Sequence, residues 1–438
     1  MLDINLIRAN PEFVAERIAK RGIKVDFDEL LEYDEKRREY TQENEKLRAK
    51  RNAATAEIAT MKKQGAFEAE INKKIHDMQE IGEKIAKTDK KVAKYEEKVF
   101  EILAAIPNMP DEEVTAGGKE ANQVVKTFGQ QRKFNFKPKD HVELCTSLGL
   151  INYELGAKMA GSGHWVYTGM GARLEWALLN YFIDFHVANG YTFVMPPHLL
   201  NYESGYAAGQ FPKFEDDVFF TNHSKDKENS RFLLPTSETA LVSMHGGEVI
   251  PAEKLPIKYA AYSPCYRREA GGYGQSERGM IRGHQFNKIE MFIFCAPADS
   301  PKLHAELVAN AEKLVEGLGL HYQTVKLAAG DTGAAMAKTF DIELWIPSMN
   351  GYKECSSASN GHCYQTRRAN IRTKTITHDC GPEGCKKNTV TEYVHALNAS
   401  GLATSRLVPA IVEQFQNEDG SVTIPMALRK YLGGMERI

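Results

Sequence analysis

The chain has 438 residues, of which 42% are hydrophobic and 26% charged, and its formal net charge is −2. That length gives a prior of about three domains, and the apolar content is enough to bury a sizeable core. No run of about 18 apolar residues occurs, which excludes a membrane-spanning helix, and the near-zero charge excludes a generic polycation, so any nucleic-acid contact must rest on local charge.

The opening segment, Met1-Leu-Asp-Ile-Asn-Leu-Ile-Arg8, has no basic stretch ahead of an apolar core, so a secretory signal is not expected. Seven cysteines, sparse and odd in number, point away from a disulfide scaffold and toward a reducing cytoplasm. From Asp28 to Glu101 there is no proline, and glycine occurs only at Gly65 and Gly82. Apolar residues return every seven positions at Tyr33, Tyr40, Leu47, Ala54 and Met61, then again at Ile71, Met78, Ile85, Val92 and Val99. A second line runs through Ile81, Thr88, Tyr95 and Ile102. Two interleaved seven-residue lines form a coiled-coil seam. The pattern breaks at Lys62-Lys63-Gln64-Gly65, which predicts a turn and an antiparallel hairpin over about 28–103. Each arm is about 50 Å long at 1.5 Å per residue.

Charge along this hairpin is uneven. Over 28–45 acids outnumber bases eight to three, and over 46–74 bases outnumber acids by the same ratio. A basic end on a rigid rod suits a phosphate backbone, with Lys50, Arg51, Lys62 and Lys63 at its tip. A solvated coiled-coil face would look similar on charge alone. Residues 104–123, with Pro107, Pro110 and the Gly117-Gly118 pair, read as a linker. They divide an N-terminal arm, 1–110, from a second domain, 111–438.

Beyond the linker, Val218–Thr221, Ile257–Tyr262, Glu290–Cys295 and Phe340–Ile346 read as strands. Arg173–Asn189 and Pro301–Leu318 read as helices. Strands often follow one another directly, which favours an α+β fold with a mainly antiparallel sheet over a doubly wound parallel one. There is no Gly-x-x-x-x-Gly-Lys-Ser/Thr loop, so any phosphate would have to be held by arginines.

Those arginines are present. Tyr262-Ser-Pro-Cys-Tyr-Arg267-Arg268-Glu269-Ala-Gly-Gly is followed by Glu277-Arg278-Gly-Met-Ile-Arg282-Gly283-His-Gln-Phe286-Asn-Lys-Ile-Glu290. This run resembles motif 2 of the class II aminoacyl-tRNA synthetases. Leu397-Asn398-Ala-Ser400-Gly401-Leu-Ala-Thr-Ser-Arg406 resembles their motif 3, read as a glycine-bearing turn and a helix ending in an arginine. Gly190-Tyr-Thr-Phe-Val-Met-Pro196-Pro197 resembles motif 1, whose proline lies at a dimer interface. With the hairpin, Gly209-Gln-Phe-Pro-Lys-Phe214, Pro235-Thr236-Ser237-Glu238 and Glu354-Cys355-Ser356-Ser357, nearly the whole chain resembles a bacterial-type seryl-tRNA synthetase.

The resemblance implies a class II catalytic sheet flanked by helices and preceded by the coiled-coil arm. It implies ATP with Mg²⁺, L-serine, tRNA(Ser) and tRNA(Sec) as ligands, and a homodimer in which one subunit's arm serves the other's active site. Arg267 would bridge the α-phosphate and the amino-acid carboxylate, and with Arg406 is the expected catalytic pair. Glu269 and Phe286 would hold adenine, and Arg282 and Arg406 the outer phosphates. Arg268, Gly283, Cys355 and Ser356 complete the expected ATP set. Glu354 and Ser357 match metal and phosphate ligands. Thr236 and Glu238 match ammonium contacts, Glu290 and Ser400 match hydroxyl readers, and Ser237 and Asn398 complete the expected serine set. The chemistry suits these residue types. A planar guanidinium forks across two oxyanions, and no protein base is needed because a carboxylate is already ionised. A buried site bonding the hydroxyl can reject an analogue lacking it by ~10⁴–10⁵, whereas pocket size against an extra methyl gives only ~10–200-fold.

Departures from the family pattern are specific. Ala160-Gly-Ser-Gly163-His164 stands where Ser-Gly-Ser-Arg-Phe is usual, and Arg268 stands where a small residue is common. His378-Asp-Cys380-Gly-Pro-Glu-Gly-Cys385, with His362 and Cys363 upstream, reads as a turn with free thiols or as a zinc knuckle, and the paired dyads of a structural zinc site are missing. A paralogue serving a natural-product or self-resistance pathway, or a non-catalytic tRNA-binding relative, is the alternative reading; the intact arginines of motifs 2 and 3 argue against the latter.

Overall fold

The computed structural model describes residues 1–222, 224, 226–269, 279–381 and 384–438, and the side chains of 376–388 are not part of that description. The glycine-rich stretch of motif 2 therefore lies outside the described residues, as do the side chains of Cys380, Cys385 and His378.

One compact unit comprises Leu2–Glu16 and Lys24–Ile106. Helices α1 (Asp28–Lys63) and α2 (Glu68–Ala105) form the hairpin, and the turn falls at the predicted place, with Gly65 at φ +72°. That left-handed conformation is one a glycine adopts without cost. Cross-contacts fix the antiparallel sense: Lys98 Nζ lies 2.8 Å from Tyr33 Oη, Arg48 pairs with Asp89 at 3.0 Å, and Thr55 Oγ1 lies 3.4 Å from Met78 Sδ. Tyr33 and Tyr40 both pack on Tyr95, at centroid distances of 5.9 and 5.7 Å. The seam is more polar than its heptads suggest, because α1 buries Asp34 and Asn44 beside Leu30 and Ile58. Asp34 collects Arg8 and Arg37 at 2.7 Å and Arg38 at 3.1 Å. Burial alone would raise its carboxyl, but the hydrogen bonds from Arg37 and Arg8 outweigh it and hold it below the usual range.

The other unit comprises Arg17–Ile23 and Pro107–Ile438, with Met1. Its chain runs through β1 (Gln123–Phe128), α3 (Gly169–Ala188), β2 (Thr192–Val194), β3 (Ile257–Tyr266), β4 (Gln285–Cys295), α4 (Ser300–Gly317), β5 (Tyr322–Lys326), β6 (Lys338–Ile346), β7 (Gly351–Asn360), β8 (His395–Ala403) and α5 (Thr404–Gln414). The eight strands make one sheet in the order β1-β5-β6-β7-β8-β4-β3-β2. All neighbours pair antiparallel except the short edge strand β2, which runs parallel to β3. The linker reading needs amending. Asn108 is buried, and its amide donates to the carbonyls of Ala335 and Gly361, each at 2.9 Å, so the segment after α2 is a pinned strap.

Strand β4 shows how the sequence makes two faces. Ile289, Met291, Ile293 and Cys295 enter one core with residues of α3, α4 and α5. Phe292 and Phe294 enter a second core with Leu241, Ile250, Val394 and Ala396. Alternation of this kind is the period of a strand. It places Phe286, Lys288 and Glu290 on the side of Phe292 and away from α3, α4 and α5. The long strand pairs β3–β4 and β4–β8 carry that face laterally, Glu290 opposite Ser400 and Phe292 opposite Asn398.

Candidate active site

The polar side chains on that face converge on a cavity of about 450 Å³. From β6 come Thr339, Asp341 and Glu343, from β7 Glu354, Ser357 and Ser359, from β8 Asn398 and Ser400, and from β4 Lys288 and Glu290. The register explains the set, since Thr339 faces Ser359, Asp341 faces Ser357 and Glu343 faces Glu354. Arg267, Lys288, Glu354, Ser400 and Arg406 also line a second lobe with Glu269, Arg282, Gly283, Phe286 and Cys355. A third lobe adds Gln210 and Phe214 beside Arg267, Glu269 and Arg282. Arg267 faces all three.

At the first lobe, Thr236 caps the short helix Ser237–Leu241, its hydroxyl accepting from the N–H of Glu238 at 3.2 Å. The same hydroxyl accepts from Lys288 Nζ at 2.7 Å and lies 3.5 Å from Glu290 Oε2. Lys288 and Glu290 form a buried ion pair. Glu238 accepts from Gln365 at 2.6 Å and Asn398 at 3.1 Å. Burial first, and the charge of Glu290 second, push its carboxyl up to about 7. Asp341 is held well above the carboxylate range, by burial first and by Glu354 second.

In the second lobe, Arg282 Nε donates to Glu269 Oε2 at 2.6 Å. The Arg267 guanidinium lies 5.2 Å from the Phe286 ring centroid. Motif 3 differs from expectation: Asn398, Ser400 and Gly401 sit within β8, and Arg406 lies in the first turn of α5 rather than at a helix end. A Cβ on Gly401 would meet His186 Nε2 of α3 at 2.4 Å, so the glycine permits a close approach, not a turn. Arg406 donates to the Glu354 carbonyl at 2.7 Å and lies 3.5 Å from its carboxylate. Glu175 of α3 ties these parts together, accepting from Thr404 at 2.5 Å and Asn287 at 2.7 Å.

Three expected site residues lie outside the cavity. Arg268 is exposed, and its backbone N–H donates to the carbonyl of Asp217 at 2.9 Å. It lies just past the end of β3, where Arg267 lines the cavity and Arg268 is exposed. Ser237 is fully buried and its hydroxyl is 2.6 Å from that of Ser263 on β3, behind the floor. Ser356 is also fully buried, and its hydroxyl donates to the Ser400 carbonyl, joining β7 to β8. Other residues were missed. Lys288, Asp341 and Gln365 reach the cavity or its lining carboxylates, and alternation along their strands would have found the first two. Arg21 donates to the carbonyls of Ala329 at 3.1 Å, Thr332 at 2.8 Å and Met336, bracing a loop that contributes Asp331, Gly333 and Met336. His362, a candidate zinc partner, is 2.9 Å from Asp111. Among the described residues, no group of three or more His, Cys, Asp and Glu is placed to hold a metal.

Residues 219–415 match the family described as "tRNA synthetase class II core domain (G, H, P, S and T)", and residues 1–110 match "Seryl-tRNA synthetase N-terminal domain". The chain belongs to the seryl-tRNA synthetase family. It is 52% identical over 433 residues to serine–tRNA ligase 2 of Clostridium acetobutylicum, with 99% of each chain covered. It is 42% identical over 434 residues to the serine–tRNA ligase of Thermodesulfovibrio yellowstonii, again with 99% of each covered. Seryl-tRNA synthetase from Pyrococcus horikoshii, solved in complex with ATP, superposes with a TM-score of 0.86 at 32% identity, covering 100% of this chain and 99% of that one.

Proposed function

We propose that this cavity activates L-serine with ATP and then passes the seryl group to the 3′ end of tRNA, making the protein a serine–tRNA ligase. The observation that carries this reading is the convergence of Arg267, Arg406 and Glu290 on one cavity whose lobes run side by side. In the first step the serine carboxylate attacks the α-phosphorus of ATP and pyrophosphate leaves. Arg267, facing every lobe, sits where it can hold the carboxylate and the α-phosphate together. Arg282 and Arg406 lie along the path of the leaving charge, where fixed cations stabilise the transition state. Their carboxylate partners, Glu269 and Glu354, keep them in place. The serine ammonium belongs to Thr236 and Glu238, and its hydroxyl to Glu290 and Ser400. In the second step the terminal ribose hydroxyl of the tRNA attacks the carbonyl carbon, and AMP leaves.

Oxygen donors suit Mg²⁺, which takes one or two carboxylates and fills the rest of its shell with phosphate oxygens and water. Glu354 and Ser357 would hold it, and Asp341 Oδ1, buried without a hydrogen-bond partner opposite Ser357, fits an oxygen-lined site. The ion would neutralise phosphate charge. Residues 1–110 serve as the tRNA-binding arm and 111–438 as the catalytic domain. Lys50, Arg51, Lys62 and Lys63 are all exposed, as phosphate contacts must be. tRNA(Ser) is the substrate and tRNA(Sec) a second one. Exposed Trp176, Val187 and Met195, on α3 and just beyond β2, support a homodimer. No helix among the described residues is long and apolar enough to cross a membrane, which accords with the cytoplasm as the site of action.

Amino-acid-dependent ATP–pyrophosphate exchange tests the reading. Exchange should require serine and be far weaker with alanine, threonine or cysteine. Equal exchange with all four, or none with serine, would contradict it.

A further inference from the structure

Lys288 stands at the junction of the two lobes. On β4 it is one pleat from Phe286 and one from Glu290, on the same face, and it lines both lobes. Its side chain is 6% exposed and that of Glu290 is 2% exposed. The ammonium pairs with Glu290 and donates to Thr236 Oγ1 at 2.7 Å. Glu238, the second buried acid of this wall, is met instead by the neutral amides of Gln365 and Asn398. The two carboxylates are thus treated differently: one is matched by a cation built into the strand and the other is not.

That asymmetry has a chemical consequence. Two bare buried carboxylates would each attract an ammonium strongly, because an unpaired charge out of water is costly and any cation relieves it. With its charge matched by Lys288, Glu290 still has lone pairs to accept a hydroxyl proton but offers a second ammonium little. Glu238 remains for the α-ammonium. We propose that Lys288 is a specificity-determining positioning residue, which makes Glu290 read an alcohol and reject an amine on the substrate β-carbon. The inference rests on the serine-activating reading of the cavity.

The test compares L-serine with L-2,3-diaminopropionate, which carries an amine in place of the hydroxyl, below neutral pH, where both its amines are protonated and where any loss of charge at Glu238 weakens the α-ammonium contact common to both and leaves their ratio unmoved. Pyrophosphate exchange and equilibrium amino-acid binding are measured for the wild type, Lys288→Met and Lys288→Arg. The wild type should prefer serine. Lys288→Met should move the preference toward the diamine by about tenfold or more, and Lys288→Arg should keep the wild-type ratio. A residue that only supports packing would lower both substrates together; a ratio in Lys288→Met within about threefold of the wild type would overturn the proposal. Should Lys288→Met fail to fold, Lys288→Gln, which drops the charge but keeps a donor for Thr236, is judged by the same ratio. A wild type without serine-dependent exchange would overturn the ligase reading itself, whereas a serine-active protein with an unmoved ratio overturns only the role of Lys288.

Discussion

Gly283 shows how a single residue can shape the second lobe of the cavity. A Cβ there would lie 2.2 Å from Trp165 Cζ3 and 3.0 Å from the Gly163 carbonyl. The segment that departs from the family pattern at Gly163 and His164 is thus packed against motif 2, with His284 N–H donating to the Gly163 carbonyl at 3.0 Å. Gly283→Ala should cost about 1–3 kcal/mol by overpacking, seen as a lower melting temperature; an unchanged melting temperature would contradict the contact. Glu238 carries a pH prediction. With its carboxyl pushed up to about 7 by burial and then by Glu290, it is protonated below that pH and lacks the charge that would hold the serine ammonium. Serine KM should therefore fall as pH rises through about 7, then level off, and Glu238→Gln should abolish the slope. For folding, the group's contribution is present below the ordinary carboxylate range and is lost as pH rises toward that same value. A flat serine KM across the window would remove Glu238 from the ammonium site.

At the scale of elements, the hairpin was legible in the sequence because two seven-residue lines and a Gly65 break admit few other structures. Its buried Asp34 and Asn44 were not, since a polar residue at a seam position is readable only once its partners, Arg8 or Asp89, are placed beside it. The major strands and the helices at 169–188 and 300–317 fell where alternation and period predicted, with ends shifted by a few residues. Motif residue types located the cavity, but side-chain direction depended on register. That is why Ser237 and Ser356 turned inward, Arg268 turned outward, and Lys288 and Asp341 joined. The arm makes its own prediction. Changing Lys50, Arg51, Lys62 and Lys63 together to Ala should lower tRNA charging about tenfold or more and flatten its salt dependence, because four phosphate contacts would be lost. Pyrophosphate exchange should stay as it was. Charging that is untouched by the fourfold change would mean the tip does not meet tRNA.

At the scale of the whole molecule, the sheet brings residues far apart in sequence to one cavity. Arg267 leaves the end of β3, Glu290 stands on β4, and Arg406 begins α5, yet all three line one cavity. No stretch of sequence shows that convergence; it follows from the β3–β4–β8 pairing and from Glu175 fastening α5 to β4. The most direct test is equilibrium binding of a non-hydrolysable seryl-adenylate analogue and its alanyl counterpart to the wild type, Arg267→Ala, Arg406→Ala and Glu290→Gln. Arg267→Ala should weaken both analogues by about 10²-fold or more. Arg406→Ala should leave both largely intact while raising the KM for ATP, since the analogues lack the outer phosphates. Glu290→Gln should weaken the seryl analogue and spare the alanyl one. Equal affinity of all four proteins for the seryl analogue would contradict the account.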